Sequence, residues 1–366
     1  FAGYCPVLYV NSLGVRVPSV GEGRMFLRRV LRKFRSLVLY CCDGGEGFAV
    51  FSPVFLPVFK GPLSRCFGRG LEVQIRTMLR LLGMHSPLLW VACPSAAVLV
   101  GRLPRAAVVY QLSDCYTALP CGAEPTIAAM EETLGHQADL VVCSSITLHR
   151  RARRLFGCGE YVDHGVDFEL FESAVRRPRL PRELVGIRHP IVGFFGNMDT
   201  NTVDCSLLEQ VIRLRPRYRF VLVGAMTTDF GRLRRYQNVI AVGQKPYRAV
   251  AHYGAAFDVC LMPWRRNEWI DHCNPVKVKE YLALGKPVVS TSFPELRQYG
   301  GLCYEACSPG NFASLIDQAL REDNPARRAK RQAWAAQHSW ESKFARVLEL
   351  LEARGIQADG RANRGG

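Results

Sequence analysis

HCNPVKVKEYLALGKPVVST, residues 272–291, reads as a helix followed at once by a strand. Asn274 and Pro275 predict the helix start, with Asn capping the first free amides and Pro suited to the first helical position. There Val276 and Lys277 carry N–H groups that a helix leaves unpaired, and the Lys277 side chain adds a positive charge at the same end. Together they make a cradle for a diphosphate. Glu280 falls three residues further on, on the same face and one turn deeper, where its two oxygens can accept hydrogen bonds from a vicinal diol such as a ribose. Leu284, Gly285 and Lys286 close the helix, and Pro287 forces the chain into a β-branched run. An anion-binding helix tip backed by a diol-binding carboxylate describes a nucleotide-sugar site. The other reading of the same residues is a surface helix with an incidental, solvated Lys–Glu pair.

Outward from this stretch, short apolar runs alternate with amphipathic ones, the pattern of βα units around parallel sheets, so the fold class is α/β. Towards the N-terminus lie DVCLMPW from Asp258, NVIAVG from Asn238, FVLVG from Phe220 and IVGFFG from Ile191. Three of these end in glycine, at Gly196, Gly224 and Gly243, which suits the tight turns where open α/β sheets bind ligands at their carboxyl ends. Helices are expected at 309–322, 325–337 and 341–353, followed by a disordered Gly- and Arg-rich tail. In the first half, strands are expected at VLYV (Val7 to Val10), LVLY from Leu37, LLWVAC from Leu88, AVVYQL from Ala107 and DLVVCS from Asp139. The register breaks at DHGVDFELF, and the Arg- and Pro-rich segment after it predicts a linker. The expected division is a first Rossmann-like domain over 1–174, a linker over 175–189, a second domain over 190–338, a C-terminal helix over 339–354 and a tail over 355–366.

The chain has 366 residues, 48% of them hydrophobic and 22% charged, which suits two ordinary domains and excludes a disordered polymer. Lys and Arg total 48 against 32 Asp and Glu, giving a formal charge of +16 that favours anionic partners. The 14 cysteines form no CxxC or zinc spacing, and several sit in apolar runs where a free thiol acts as a small hydrophobe, so a reducing cytosol is expected. The longest apolar stretch, from Leu88, is too short and too Pro-broken to span a bilayer. No signal-peptide pattern opens the sequence, which starts at Phe1 in mid-flow, and an upstream segment is expected.

GFFGNMD, FVLVG, GQKPY, FDVCLMPWRRNE and NPVKVKEYLALGKPVVST, in that order and spacing, resemble GT-B glycosyltransferases of the family 4-like group and its bacterial exopolysaccharide relatives. The resemblance covers most of the chain. It implies two Rossmann-like domains facing across a cleft, with C-terminal helices crossing back, the second domain binding a nucleotide-diphosphate sugar (UDP- or GDP-linked) and the first an acceptor. Carried over by motif, Glu280 would hold the ribose, Lys277 the phosphates with Asn274 and Val276 at the helix tip, and Gly196 with Asn197 and Gly224 the turns beneath the donor. Tyr247 and the Met262 to Asn267 corner would shape the base and sugar pocket. Many members carry a Glu eight residues before the ribose-binding one. That position here is His272, which cannot act as the same acceptor-only carboxylate but could contact phosphate or sugar, or be only a loop His at a helix entrance. The usual opening strand and glycine loop are absent, so the first domain is expected to be truncated at its start.

Asp114, at the end of AVVYQL, is the candidate catalytic base for an acceptor hydroxyl if the enzyme inverts, or a positioning group if it retains. A helix-capping role is the competing reading for Asp114, and Asp167 reads as a cap first. Residues 23–35, GRMFLRRVLRKFR, place apolar residues on one helical face and arginines largely on the other. FAVFSPVFLPVFKGPLSRCFGRG reads as an apolar loop whose prolines prevent regular structure. Both suggest peripheral docking on an anionic membrane, at the inner face of the cell membrane, to reach a glycan or lipid-linked acceptor. No Asp-x-Asp metal set stands out, so no cofactor and no essential metal are expected. The alternatives weighed are a nucleotide-sugar epimerase on the same scaffold and a basic nucleic-acid-binding protein. No helix-turn-helix, zinc or RNA-recognition signature supports the latter, so nucleic acid is not an expected partner.

Overall fold

The computed structural model describes residues 1–11, 41–43, 47–53, 62–118 and 124–357. The basic stretch 23–35, the expected strand from Leu37 and the tail beyond residue 357 lie outside the described residues. The chain divides into two compact units, Phe1–Val162 with Phe344–Gly366, and Asp163–Lys343.

The second unit is built on six parallel strands: β8 (Ile191–Phe195), β9 (Arg219–Val223), β10 (Val239–Gly243), β11 (Val259–Met262), β12 (Val288–Thr291) and β13 (Cys303–Ala306). Their order in the sheet is β10-β9-β8-β11-β12-β13. The chain thus works outward from β8 in one direction, then crosses back to start again at β11. The carboxyl ends of β8 and β11 flank the point where the winding reverses, which is where open α/β sheets place their ligands. Every residue of β8 and of β11 is buried, as expected of strands covered on both faces. The covering helices begin on well-formed caps. Asp204 accepts from Leu207 N at 2.9 Å, Ser308 from Asn311 N at 3.2 Å and Asn324 from Arg327 N at 3.0 Å, the last two followed by Pro in the first turn.

The first unit holds two sheets. Strands β4 (Leu88–Val91), β5 (Ala107–Leu112), β6 (Leu140–Cys143) and β7 (Glu160–Tyr161) are parallel and ordered as numbered. A smaller sheet has the order β1-β3-β2, with β1 (Val7–Val10) parallel to β3 (Phe48–Phe51) and β2 (Cys41–Asp43) antiparallel to β3. The chain re-enters this unit at Phe344, and Val347, Leu350 and Leu351 bury against Val109, Leu140, Val142 and Val162.

Three sequence expectations change. The apolar segment read as an irregular loop from Phe48 supplies β3 at its start and the helix Pro62–Leu81 at its end. Phe51 is fully buried there with Leu71 and Ile75, so part of its apolar content is core. Residues 175–189 fall inside the second unit rather than between units. Leu184 is 1% exposed, and Glu183 accepts from Tyr253 Oη at 2.8 Å and Lys245 Nζ at 2.6 Å, so side-chain contacts hold a segment whose Arg and Pro content reads as linker. The short strands β7 and β13 were not anticipated, since EY is too short and CYEA lacks a β-branched residue.

Candidate active site

The helix Val276–Ala283 carries the site. Its back is bonded into the unit. Phe195 N, the last amide of β8, donates to Tyr281 Oη at 3.1 Å, and Lys279 is 1% exposed with its Nζ 2.5 Å from Asp163 Oδ2 and also on the His164 carbonyl. Asp163 further accepts from Lys343 at 2.5 Å and lies 3.4 Å from His338 Nδ1. Burial works to raise the Asp163 pKa, but these hydrogen bonds and the Lys279 charge more than offset it and hold the carboxyl well below the usual range. Asp167 caps the helix Phe168–Arg176 by accepting from Leu170 N at 3.1 Å, as its sequence position predicts.

The front of the helix is different. Lys277 Nζ sits 4.7 Å from the centroid of the Phe194 ring and makes no ion pair among the described residues. Desolvation pulls its pKa down to about 8 against the attraction of Glu280 and Asp199. Gly196, just past β8, leaves the space for this side chain: a Cβ there would stand 2.4 Å from Lys277 Nζ. Gly224, at φ 142°, passes so close beneath Gly196 that a Cβ would lie 2.0 Å from the Gly196 carbonyl oxygen. Asn197 is exposed on the loop that follows Gly196. As first-turn residues, Val276 and Lys277 have backbone N–H groups without an intrahelical acceptor.

Glu280 is 7% exposed, and burial raises its pKa. Tyr247 Oη donates to Glu280 Oε1 at 2.8 Å, a contact that fixes the carboxylate while leaving it further acceptor capacity. The phenol is pushed up by burial and by the Glu280 charge. Tyr247 thus stands beside Glu280 at the front of the helix. Asp167 also acts electrostatically on both Tyr247 and Glu280, a neighbour the sequence did not reveal.

Asn274 does not cap the helix. Pro275 occupies the capping position without a side-chain bond, and Asn274 Nδ2 instead donates to the buried Glu295 at 3.1 Å, the stronger charge-assisted contact. His272 closes the short helix Glu268–Asp271, with Nδ1 2.8 Å from the Glu268 carbonyl oxygen. Lys277, Glu280, Tyr247, Val276, Gly196 and Gly224 are therefore brought to one edge of the sheet, while Asn274 serves the helix from beneath.

Asp114 lies in the first unit, two residues past the carboxyl end of β5. No helix amide bonds its carboxylate among the described residues, and desolvation raises its pKa. Around it Tyr116 Oη donates to the Ala92 carbonyl at 2.7 Å, and Ser144 Oγ donates to that of Ser113 at 2.9 Å.

The doubly wound second unit, with Lys277 and Glu280 on one helix at its sheet edge, fits the donor unit of a GT-B glycosyltransferase, and the comparisons with known proteins agree. Residues 189–322 match the family described as Glycosyl transferases group 1, so the chain carries a group 1 glycosyltransferase domain. It is 26% identical over 291 residues to TuaH of Bacillus subtilis strain 168, a glycosyltransferase assigned to teichuronic acid biosynthesis, covering 74% of this chain and 72% of that protein. HepE of Anabaena, solved in complex with UDP, superposes with a TM-score of 0.68 at 15% identity, over 95% of this chain and 100% of that one. Sucrose-phosphate synthase from Thermosynechococcus elongatus gives 0.70 at 15% identity, over 95% and 98%. The fold is GT-B and the chain is a glycosyltransferase. Among the described residues no helix is long and apolar enough to cross a membrane.

Proposed function

We propose that this protein transfers a sugar from a UDP- or GDP-linked donor to the hydroxyl of a glycan or lipid-linked acceptor, in the assembly of a bacterial cell-surface polysaccharide. The observation that carries the donor half is Lys277, a recessed ammonium with no counter-ion bonded to it among the described residues, at a helix start and above a glycine turn, with Glu280 one turn behind it. The diphosphate takes the charge and the first-turn amides, and the ribose hydroxyls donate to Glu280. That HepE has been solved with UDP and with UDP and glucose supports a UDP sugar, and TuaH's assignment to teichuronic acid biosynthesis supports a polymer acceptor. Asp114 serves the acceptor hydroxyl, as general base under inversion or as its positioning group under retention. His272 contacts the phosphate or sugar from the loop before the helix. No metal takes part, and work at the cytoplasmic face of an anionic membrane is the setting.

Calorimetric titration with UDP, GDP and their sugars tests the donor site, since a ligand of the native state shows directly as heat and as raised thermal stability. Release of free nucleoside diphosphate only when acceptor is present, unchanged by EDTA, is the expected transfer signature. Interconversion of the donor sugar without acceptor would mark an epimerase and overturn the reading.

A further inference from the structure

The helix Trp340–Glu352 runs through the boundary between the two units. Trp340 to Lys343 belong to the second unit. The rest belongs to the first, where Val347, Leu350 and Leu351 are buried with Val109 of β5 and Leu140 and Val142 of β6. The outgoing chain crosses the same boundary between Val162, a member of that cluster, and Asp163. On the second-unit side the two passages are zipped together. Val166 N donates to the His338 carbonyl at 3.0 Å, Trp340 N donates to that of Val166 at 3.2 Å, and Val166 and Ser339 form a parallel bridge. Gly165 lets them approach, since a Cβ there would stand 2.5 Å from the Trp340 Cα.

Asp163 ties this zipper to the helix Val276–Ala283. Its Oδ2 lies 2.5 Å from Lys279 Nζ and its Oδ1 2.5 Å from Lys343 Nζ, one oxygen for each ammonium. Lys343 Nζ is also 3.0 Å from His338 Nδ1, and the His338 ring stacks on Trp334 at 3.8 Å, so the ammonium is located from two sides. Lys279 is 1% exposed and cannot leave Asp163 without stranding a charge away from water, a cost that exposed ion pairs escape. At about 100° per residue, Lys277 and Lys279 leave nearly opposite sides of their helix, Lys277 at the front with Glu280 and Lys279 at Asp163. One short helix thus carries the candidate donor groups on one side. On the other it carries the ammonium that shares a carboxylate with the helix completing the first unit.

We propose that Asp163 and Lys343 are positioning residues for transfer. Through them a nucleoside diphosphate held at Lys277 and Glu280 steadies the helix 340–352 as far as its first-unit half, which packs on β5, the strand that leads to Asp114. This rests on the donor site proposed above. The test is hydrogen exchange followed by mass spectrometry on the full chain, with and without UDP, for the wild type, Lys343→Met and Lys343→Arg. Lys343→Met leaves Asp163 paired with Lys279, so calorimetric UDP affinity is expected to be the same in all three. In the wild type and Lys343→Arg, UDP slows exchange over residues 344–352 by about fivefold or more. In Lys343→Met that protection stops within the second unit. A pair that only added stability would speed the variant's exchange without making the UDP effect depend on residue 343. Lys343→Gln takes the place of the Met variant if the latter does not fold. Binding of UDP without protection of 344–352 in the wild type, or with equal protection in the uncharged variant, overturns the coupling and leaves the donor site standing. Failure of the wild type to bind UDP overturns both.

Discussion

Replacing Lys277 by Met keeps the length and most of the volume of the side chain and removes its charge. In the free protein that charge is a burden. With a pKa of about 8 against an ordinary 10.5, the folded state binds this proton less tightly than the unfolded chain does. The folded protein therefore carries the full cost below pH 8, and the cost falls away as the pH rises from about 8 to 10.5, where the unfolded chain also gives up its proton. The gap corresponds to about 3 kcal/mol, and solvent screening at a half-buried side chain reduces it to about 1–2 kcal/mol. The cation–π contact with Phe194 repays a part of that in the wild type. Lys277→Met is thus expected to raise the thermal midpoint of the unliganded second unit by roughly 2–6 °C while abolishing the stabilisation that UDP gives the wild type. Calorimetric scans of both proteins at pH 7, with and without UDP, read the two effects together. The wild type should also lose about tenfold in UDP affinity between pH 7 and pH 9, as the ammonium deprotonates, and the variant should show no such slope. A variant less stable than the wild type, or one that UDP still stabilises, would refute the assignment of Lys277 as a strained cation awaiting a phosphate.

Glu280→Ala should weaken UDP binding by about tenfold or more, the scale of a lost charged hydrogen bond, with the fold intact by circular dichroism. In the wild type, affinity should fall at an acid limb lying above the usual carboxylate range, because burial raises the Glu280 pKa and the neutral form cannot accept as fully. Tyr247→Phe removes the 2.8 Å donor to Glu280 and is expected to cost about 1 kcal/mol of UDP affinity, measured by titration, with a smaller cost for a 2′,3′-dideoxyribose analogue. Gly224→Ala forces a Cβ onto the Gly196 carbonyl at a φ of 142°, so a loss of about 2 kcal/mol or more in stability and failure to bind UDP are expected in denaturant and binding assays. Asp114→Asn should abolish turnover under an inverting mechanism while UDP affinity stays at the wild-type value, and retained turnover would reduce Asp114 to positioning.

The elements that were legible in the sequence share a local cause. β-branched and apolar runs such as AVVYQL and IVGFF announce buried parallel strands, and the polar stretches at 309–322 and 325–337 announce two helices that the structure shows. What the sequence hid depends on partners far along the chain. Asn274 looks like a cap until Glu295, 21 residues on, is seen to take its amide. Tyr247 is tied to Glu280 across 33 residues. Lys277 and Lys279 look alike in VKVKEY, yet Lys279 is neutralised by Asp163 from 116 residues away while Lys277 forms no ion pair among the described residues.

The return of the chain at Phe344 has a consequence for biosynthesis. Val347, Leu350 and Leu351 complete the packing over β5 and β6, so the unit made first by the ribosome is finished only by residues made after the whole of the other unit. Domains generally fold as units, N-terminal first, while the chain is being made. Here the second unit can close its own core while the first waits with Val109, Leu140 and Val142 uncovered, exposed to chaperones or to aggregation until the last turns emerge. A stop codon shortly before Val347 would therefore harm the older half of the molecule and leave the younger half able to fold.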